Sequence, residues 1–166
     1  MRKAFTLIEM MISISILSIL MLFLYKSYAE LNRSNTTYTQ VVKDLQKQEL
    51  IKKILYLDVS LASQVTIIHR DRKKDVVFLQ TNHSLHKRII PYVAYILKGK
   101  RLYRLESLRN FKGYPLDAGS DFVVDDLGEA TLFRMYKGKT KKNLFVLHVK
   151  LKKQEDILLK IKALNI

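Results

Sequence analysis

The run Phe5-Thr6-Leu7-Ile8-Glu9-Met10-Met11-Ile12-Ser13-Ile14-Ser15-Ile16-Leu17-Ser18-Ile19-Leu20-Met21-Leu22-Phe23-Leu24-Tyr25 decides how the rest of this chain is read. Sixteen of its 21 residues are apolar, and no lysine or arginine falls between Lys3 and Lys26. As an α-helix it would run about 31 Å, close to the hydrocarbon thickness of one bilayer. Arg2 and Lys3 flank its start, and the positive-inside rule keeps such an end in the cytoplasm. The run is longer than the apolar region of a cleaved secretory signal, and Lys26-Ser27-Tyr28-Ala29 is a poor cleavage context. A plain signal anchor fits the length, but Glu9 is awkward for both readings. A carboxylate inside a membrane span costs roughly 2–3 kcal/mol or more, so it has a partner or a task, unless it reaches the headgroups from the helix end.

The residues around Glu9 separate these readings. Lys3-Ala4-Phe5-Thr6-Leu7-Ile8-Glu9 followed by an apolar run closely resembles the N-terminus of type IV prepilins and type II secretion pseudopilins. The resemblance implies a leader, residues 1–4, cut between Ala4 and Phe5 by a membrane prepilin peptidase that then methylates the new amine of Phe5. It also implies that Phe5 and Glu9 guide subunit assembly, the carboxylate of one chain neutralising the terminal amine of its neighbour. Burying either charge alone would be prohibitive, whereas the pair is tolerable and sets orientation. Ala4 departs from the glycine usual at the cut, although it is also small. The motif spans only about 20 residues; the remainder carries no comparable signature.

Outside the apolar run the chain is basic. Of 166 residues, 30 are lysine or arginine and 15 acidic, for a net charge of +15, and residues 26–166 hold 28 of the basic and 14 of the acidic side chains. Such a surplus suits a polyanionic partner and says nothing of fold. The chain has no cysteine, which excludes thiolate metal sites, thiol catalysis and disulfide scaffolds and leaves the redox compartment open.

No proline or glycine interrupts the chain from Phe5 to Leu61, so a helix of more than 50 residues is expected there, divided as 5–25 and 26–61. Leu24, Tyr28, Leu31, Tyr38, Val42 and Leu45 form one helical face, and Leu50, Ile54, Leu57 and Leu61 a rotated one. In pilin-like proteins this half of the helix packs on a sheet. Asn32–Gln40 is a weak helix former and a candidate bend. A coiled-coil arm competes, although Asn35 and Gln48-Glu49 break its seam. Major pilins often carry a proline where this chain has Lys26.

Past Leu61 the apolar period becomes two. Expected strands are Val65–His69, Val76–Gln80, Tyr92–Lys98, Arg101–Glu106, Phe122–Val124, Ala130–Lys137, Leu144–Lys152 and Ile157–Lys162. Lys98-Gly99-Lys100 reads as a tight hairpin, with further turns at Asp126-Leu127-Gly128 and Lys137-Gly138-Lys139. The fold class is therefore α+β: a long N-terminal helix against an antiparallel sheet spanning 62–166, pilin-like and nearest the larger minor pseudopilins.

Three constellations carry residue types capable of chemistry. His83 and His86, in a loop without a neighbouring carboxylate, read as solvated histidines. Asp117, Asp121, Asp125, Asp126 and Glu129 read as acids neutralising nearby lysines, with a calcium loop as the weaker alternative, so no cofactor is expected. No nucleophile elbow or phosphate loop occurs, and the chain is read as a non-enzyme. Alternation in the last two strands leaves Lys150, Lys152, Lys160 and Lys162 on one outer face, joined by the loop lysines Lys137, Lys139, Lys141 and Lys142. That lysine stripe is a candidate nucleic-acid contact, against ordinary solvation or pairing with acidic neighbours.

The leading expectation is a minor pseudopilin of a type II secretion-like or DNA-uptake apparatus. It would be anchored in the inner membrane with its C-terminal domain in the periplasm. Its partners would be prepilin peptidase, other pilins, the assembly platform and DNA. The alternatives are a membrane-anchored DNA-binding module and a signal-anchored periplasmic protein with an incidental motif.

Overall fold

A computed structural model describes residues 6–116, 121–138, 143–152 and 155–166. One helix, α1 (Leu7–Ser60), is followed by seven strands: β1 (Ala62–Asp71), β2 (Lys74–Thr81), β3 (Tyr92–Lys98), β4 (Arg101–Ser107), β5 (Phe122–Lys137), β6 (Leu144–Leu151) and β7 (Ile157–Lys162). The chain divides into two compact units at Gln46/Lys47.

In the first unit α1 is exposed almost throughout, its apolar side chains included. Leu24, Tyr28, Leu31, Tyr38, Val42 and Leu45, expected to lie on the sheet, are all at the surface. The polar stretch 32–40 stays helical. Its threonine hydroxyls bond back to the helix, Thr36 and Thr37 to the Arg33 carbonyl at 2.8 and 3.0 Å and Thr39 to that of Asn35 at 2.8 Å.

In the second unit the last turns of α1 do the packing. Gln48, Ile51, Ile54, Leu55, Asp58 and Val59 recur at the helical period and are buried. Of the four leucine and isoleucine residues expected on this face only Ile54 is buried; Leu50 is exposed and Leu57 and Leu61 lie between. The true face is turned by about one residue and includes three polar side chains, Gln48, Asp58 and Ser60, which hydrophobicity alone does not mark. It packs with Val77, Leu79, Val93, Tyr95, Phe133, Met135, Phe145 and Leu147 in one core.

The strands pair in chain order, β1 to β7, all antiparallel between successive neighbours. The expected α+β arrangement of a long helix and an antiparallel sheet is thus observed. The two-residue turn Gly99-Lys100 has φ of 58° and 64°, the geometry that lets a tight hairpin follow the strand twist, and Lys98 faces Arg101.

One expectation fails instructively. Asp126-Leu127-Gly128 is not a turn between two strands but a bulge within the 16-residue β5. Gly128 adopts φ 111° and donates its N–H to Asp126 Oδ1 at 2.8 Å, while Asp126 also pairs with Arg101. A Cβ at Gly128 would sit 3.1 Å from Lys47 Nζ, so glycine relieves both backbone and space. The bulge lets β5 exchange partners. Residues 122–129 pair with β4, and 130–137 pair with β6, while Phe133 also meets Lys74 of β2 in parallel.

Candidate functional site

The helix start is a capping box. The Thr6 N–H and hydroxyl both donate to Glu9 Oε2 at 2.9 Å, and the Glu9 N–H donates to Thr6 Oγ1 at 3.4 Å. The pattern threonine-x-x-glutamate ahead of an apolar run is the sequence signal that marks it. Beyond it, Ser13, Ser15 and Ser18 each donate to the carbonyl four residues back at 2.8 Å. Each serine hydroxyl of the span is thereby satisfied inside the helix, as a segment surrounded by lipid requires. The helix is long and apolar enough to cross a membrane. Glu9 and its apolar neighbours are exposed, whereas Ala4 and Phe5 lie outside the described residues.

Residues 1–25 match the family model described as Prokaryotic N-terminal methylation motif. The chain has a prepilin-type N-terminus. That motif implies processing by prepilin peptidase and assembly with other pilins, and the apolar helix is the corresponding membrane anchor. No curated protein and no solved structure matches the chain. For this prepilin-like chain, everything after residue 25 rests on its own geometry.

The sheet domain is locked to its helix by a buried charge cluster. Arg104 on β4 is fully buried and makes a two-pronged contact with Asp58, Nε to Oδ2 at 2.8 Å and Nη2 to Oδ1 at 3.3 Å. Its Nη1 reaches Glu106 Oε2 at 2.6 Å and Asp125 Oδ2 at 3.3 Å. Tyr95 donates to Asp58 Oδ2 and the His83 ring meets Oδ1, each at 2.5 Å. Glu106 in turn accepts from the Ser84 hydroxyl at 2.5 Å and from the Leu85 N–H at 3.0 Å. The histidines are therefore not merely solvated: His83 is held by Asp58 and His86 by Asp125 at 3.0 Å. These contacts pin loop 82–91, in which Lys87 and Ile90 hold left-handed φ of 58° and 48°.

Electrostatics follow from that geometry. Burial would push the Glu106 carboxyl up, but Ser84, Arg104 and the Leu85 N–H outweigh it and hold it below the ordinary glutamate value of 4.5. Burial, with the charge of Asp58 beside it, drives the Tyr95 phenol well above 10. For Glu106 the folded state releases its proton first, so stability is full above about pH 4.5 and falls as pH drops through the depressed folded value. For Tyr95 the folded state keeps its proton longer, so stability is lost as pH rises past about 10. Unfolding of the detergent-solubilised chain against pH should show a plateau between these limits. Replacing Glu106 with Gln should remove part of the acid limb.

Three acids of the expected cluster are taken by partners, and Asp121 is exposed. Asp125 pairs with His86 and Arg104, Asp126 with Arg101, and Glu129 with Lys152 at 2.6 Å. Asp117 lies outside the described residues, and among those described no three metal-ligating side chains group together.

The lysine stripe is corrected in detail. Lys150 lies 3.6 Å from Asp156 and Lys152 is paired, so neither is a free cation. Lys160 and Lys162 are exposed, but the register sets them beside Val146 and Leu144, and Leu158 on the same face is also exposed. The surface is thus mixed apolar and basic. Lys137 is exposed at the end of β5 with the parity of the core residues Phe133 and Met135, and Lys139, Lys141 and Lys142 lie outside the described residues.

Proposed function

We propose that the chain is a structural, non-enzymatic subunit, a minor pseudopilin of a type II secretion-like or type IV pilus-like apparatus. It is anchored in the inner membrane, holds its sheet domain in the periplasm, engages an assembly platform and enters a filament after processing. The observation that carries this reading is the methylation motif over residues 1–25, continuous with the exposed apolar helix that follows it. The exposed apolar side chains along the helix to Leu45 suit a subunit whose neighbours supply the cover. The basic surplus favours DNA uptake over protein export as the setting.

The test is the chemical nature of the mature N-terminus. Co-expressed with a prepilin peptidase, the chain should yield protein beginning at N-methylated Phe5, lighter by residues 1–4, in intact-mass and N-terminal fragment spectra. A chain that keeps Met1 under those conditions removes the assignment and leaves a signal-anchored protein.

A further inference from the structure

The sheet face turned away from the 48–60 part of α1 has two halves. Over β1–β4 it is covered, since Val76, Ala94, Ile96 and Leu105 pack with Phe111, and Tyr114 and Leu116 close over them. Over β5–β7 the described residues put nothing on it. There the register sets Tyr136 opposite Val146 and Val146 opposite Lys160, with Arg134, His148 and Leu158 in the next row and Leu144 beside Lys162. Tyr136 is 42% exposed, and the Arg134 guanidinium carbon lies 4.9 Å from its ring centroid.

The fold brings a second basic segment to the same place. The β1–β2 hairpin tip, with exposed Arg72, Lys73 and Lys74, meets β5 where Lys74 pairs with Phe133 and the Phe133 N–H donates to the Lys73 carbonyl at 3.1 Å. These cations are more than 55 positions from Arg134 in sequence and adjacent to it in the sheet. Charge accounting separates them from the rest. Asp156 is taken by His148 and Lys150, and Asp75 by His69, with Arg134 at 3.9 Å. Arg72, Lys73, Lys74, Lys160 and Lys162 have no acidic side-chain partner among the described residues.

We propose that this face binds single-stranded nucleic acid. Lys160, Lys162 and the hairpin cations hold phosphates, and the Arg134–Tyr136 pair is a platform on which a base stacks. Unpaired lysines contact the backbone without reading sequence, and an open aromatic ring rewards a strand whose bases are free. A duplex encloses its bases and an acidic polysaccharide has none, so either would use the charge and leave Tyr136 idle. The inference is independent of N-terminal processing, which can succeed or fail without altering it.

The experiment is fluorescence anisotropy of a labelled oligothymidylate about 20 nucleotides long with the detergent-solubilised full-length chain, from about 50 to about 200 mM salt. Binding should be measurable at the low end and fall as salt rises. Lys160→Gln with Lys162→Gln should weaken it about tenfold and flatten the logarithmic salt slope by about 1.4, two phosphate contacts' worth on a single strand. Tyr136→Ala should weaken it about fivefold with the slope unchanged, while Tyr136→Phe, which keeps the ring, binds normally. Lys98→Gln with Lys100→Gln, an equal loss of charge at the β3–β4 turn, should change neither. No binding at about 50 mM salt, an equal loss in the β3–β4 control, or unchanged binding by Tyr136→Ala would each overturn the proposal.

Discussion

Replacing Arg104 with Met should destabilise the sheet domain by about 3–5 kcal/mol, the usual cost of removing one partner from a buried ion pair. Methionine keeps the apolar stem but not the guanidinium, so the charge and all of its hydrogen bonds to Asp58 and Glu106 are lost together. Asp58 and Glu106 are both fully buried and would be left facing each other without their shared cation. Loop 82–91 hangs on the same carboxylates through His83, Ser84 and Leu85, so it should lose its order together with the end of the helix. Urea unfolding of the full-length chain in detergent, followed by near-ultraviolet dichroism, reads the first effect, and amide exchange over 82–91 reads the second. The triple exchange Asp58→Asn, Arg104→Met, Glu106→Gln should recover much of the loss, because a neutral set needs no counter-charge. An Arg104→Met chain within about 1 kcal/mol of the parent would show that the cluster does not organise the domain.

Exchanging Glu9 for Ala should leave cleavage at Ala4 largely intact and reduce incorporation into an assembly at least tenfold. In the single chain the carboxylate caps its own helix through Thr6. After cleavage, Thr6 would be the second residue of the mature chain, so the same carboxylate lies one residue from the new terminal amine. We propose, from the resemblance to the pilin motif, a second partner for it, the amine of a neighbour; an amine packed among apolar helices without that partner would be heavily penalised. Glu9→Gln distinguishes the two jobs, since an amide oxygen still accepts the Thr6 bonds but carries no charge. Cysteine crosslinking between neighbouring subunits, scored separately from peptidase cleavage, measures both variants. Glu9→Gln assembling like the parent would sink the charge-pairing account while leaving the cap.

Much of this architecture was legible from local pattern. The apolar run 5–25, the break in periodicity at Leu61 and the glycine at 99 each obey rules that operate within a few residues, and helix, sheet and hairpin stand where those rules put them. What escaped depends on distant partners. Asp126-Leu127-Gly128 has the composition of a turn, but its backbone stays paired with β4 on both sides of Leu127, which makes it a bulge instead. Leu24 to Leu45 has the spacing of a buried face, yet its side chains are exposed and burial along the helix begins at Gln48. His83 and His86 looked solvated because their carboxylates lie 25 and 39 positions away. Arg104 finds Asp58 across 46 residues, and no local rule marks a single arginine in a strand as the centre of a core.

The sheet's order has a consequence for how the chain comes to be folded. Each strand pairs with its immediate successor, so a chain made from its N-terminus always presents the edge that the next segment will occupy. The ladder can thus be added strand by strand, but two buried carboxylates wait for later strands: Asp75 of β2 for the Met135 N–H of β5, and Asp58 at the end of α1 for Arg104 of β4. Before β4 arrives, Asp58 has only the His83 ring and the Tyr95 hydroxyl, and neither is the permanent cation that its burial calls for. A chain stopped after β3 should therefore dock the end of its helix on the sheet only loosely, and one that includes β4 should dock it firmly.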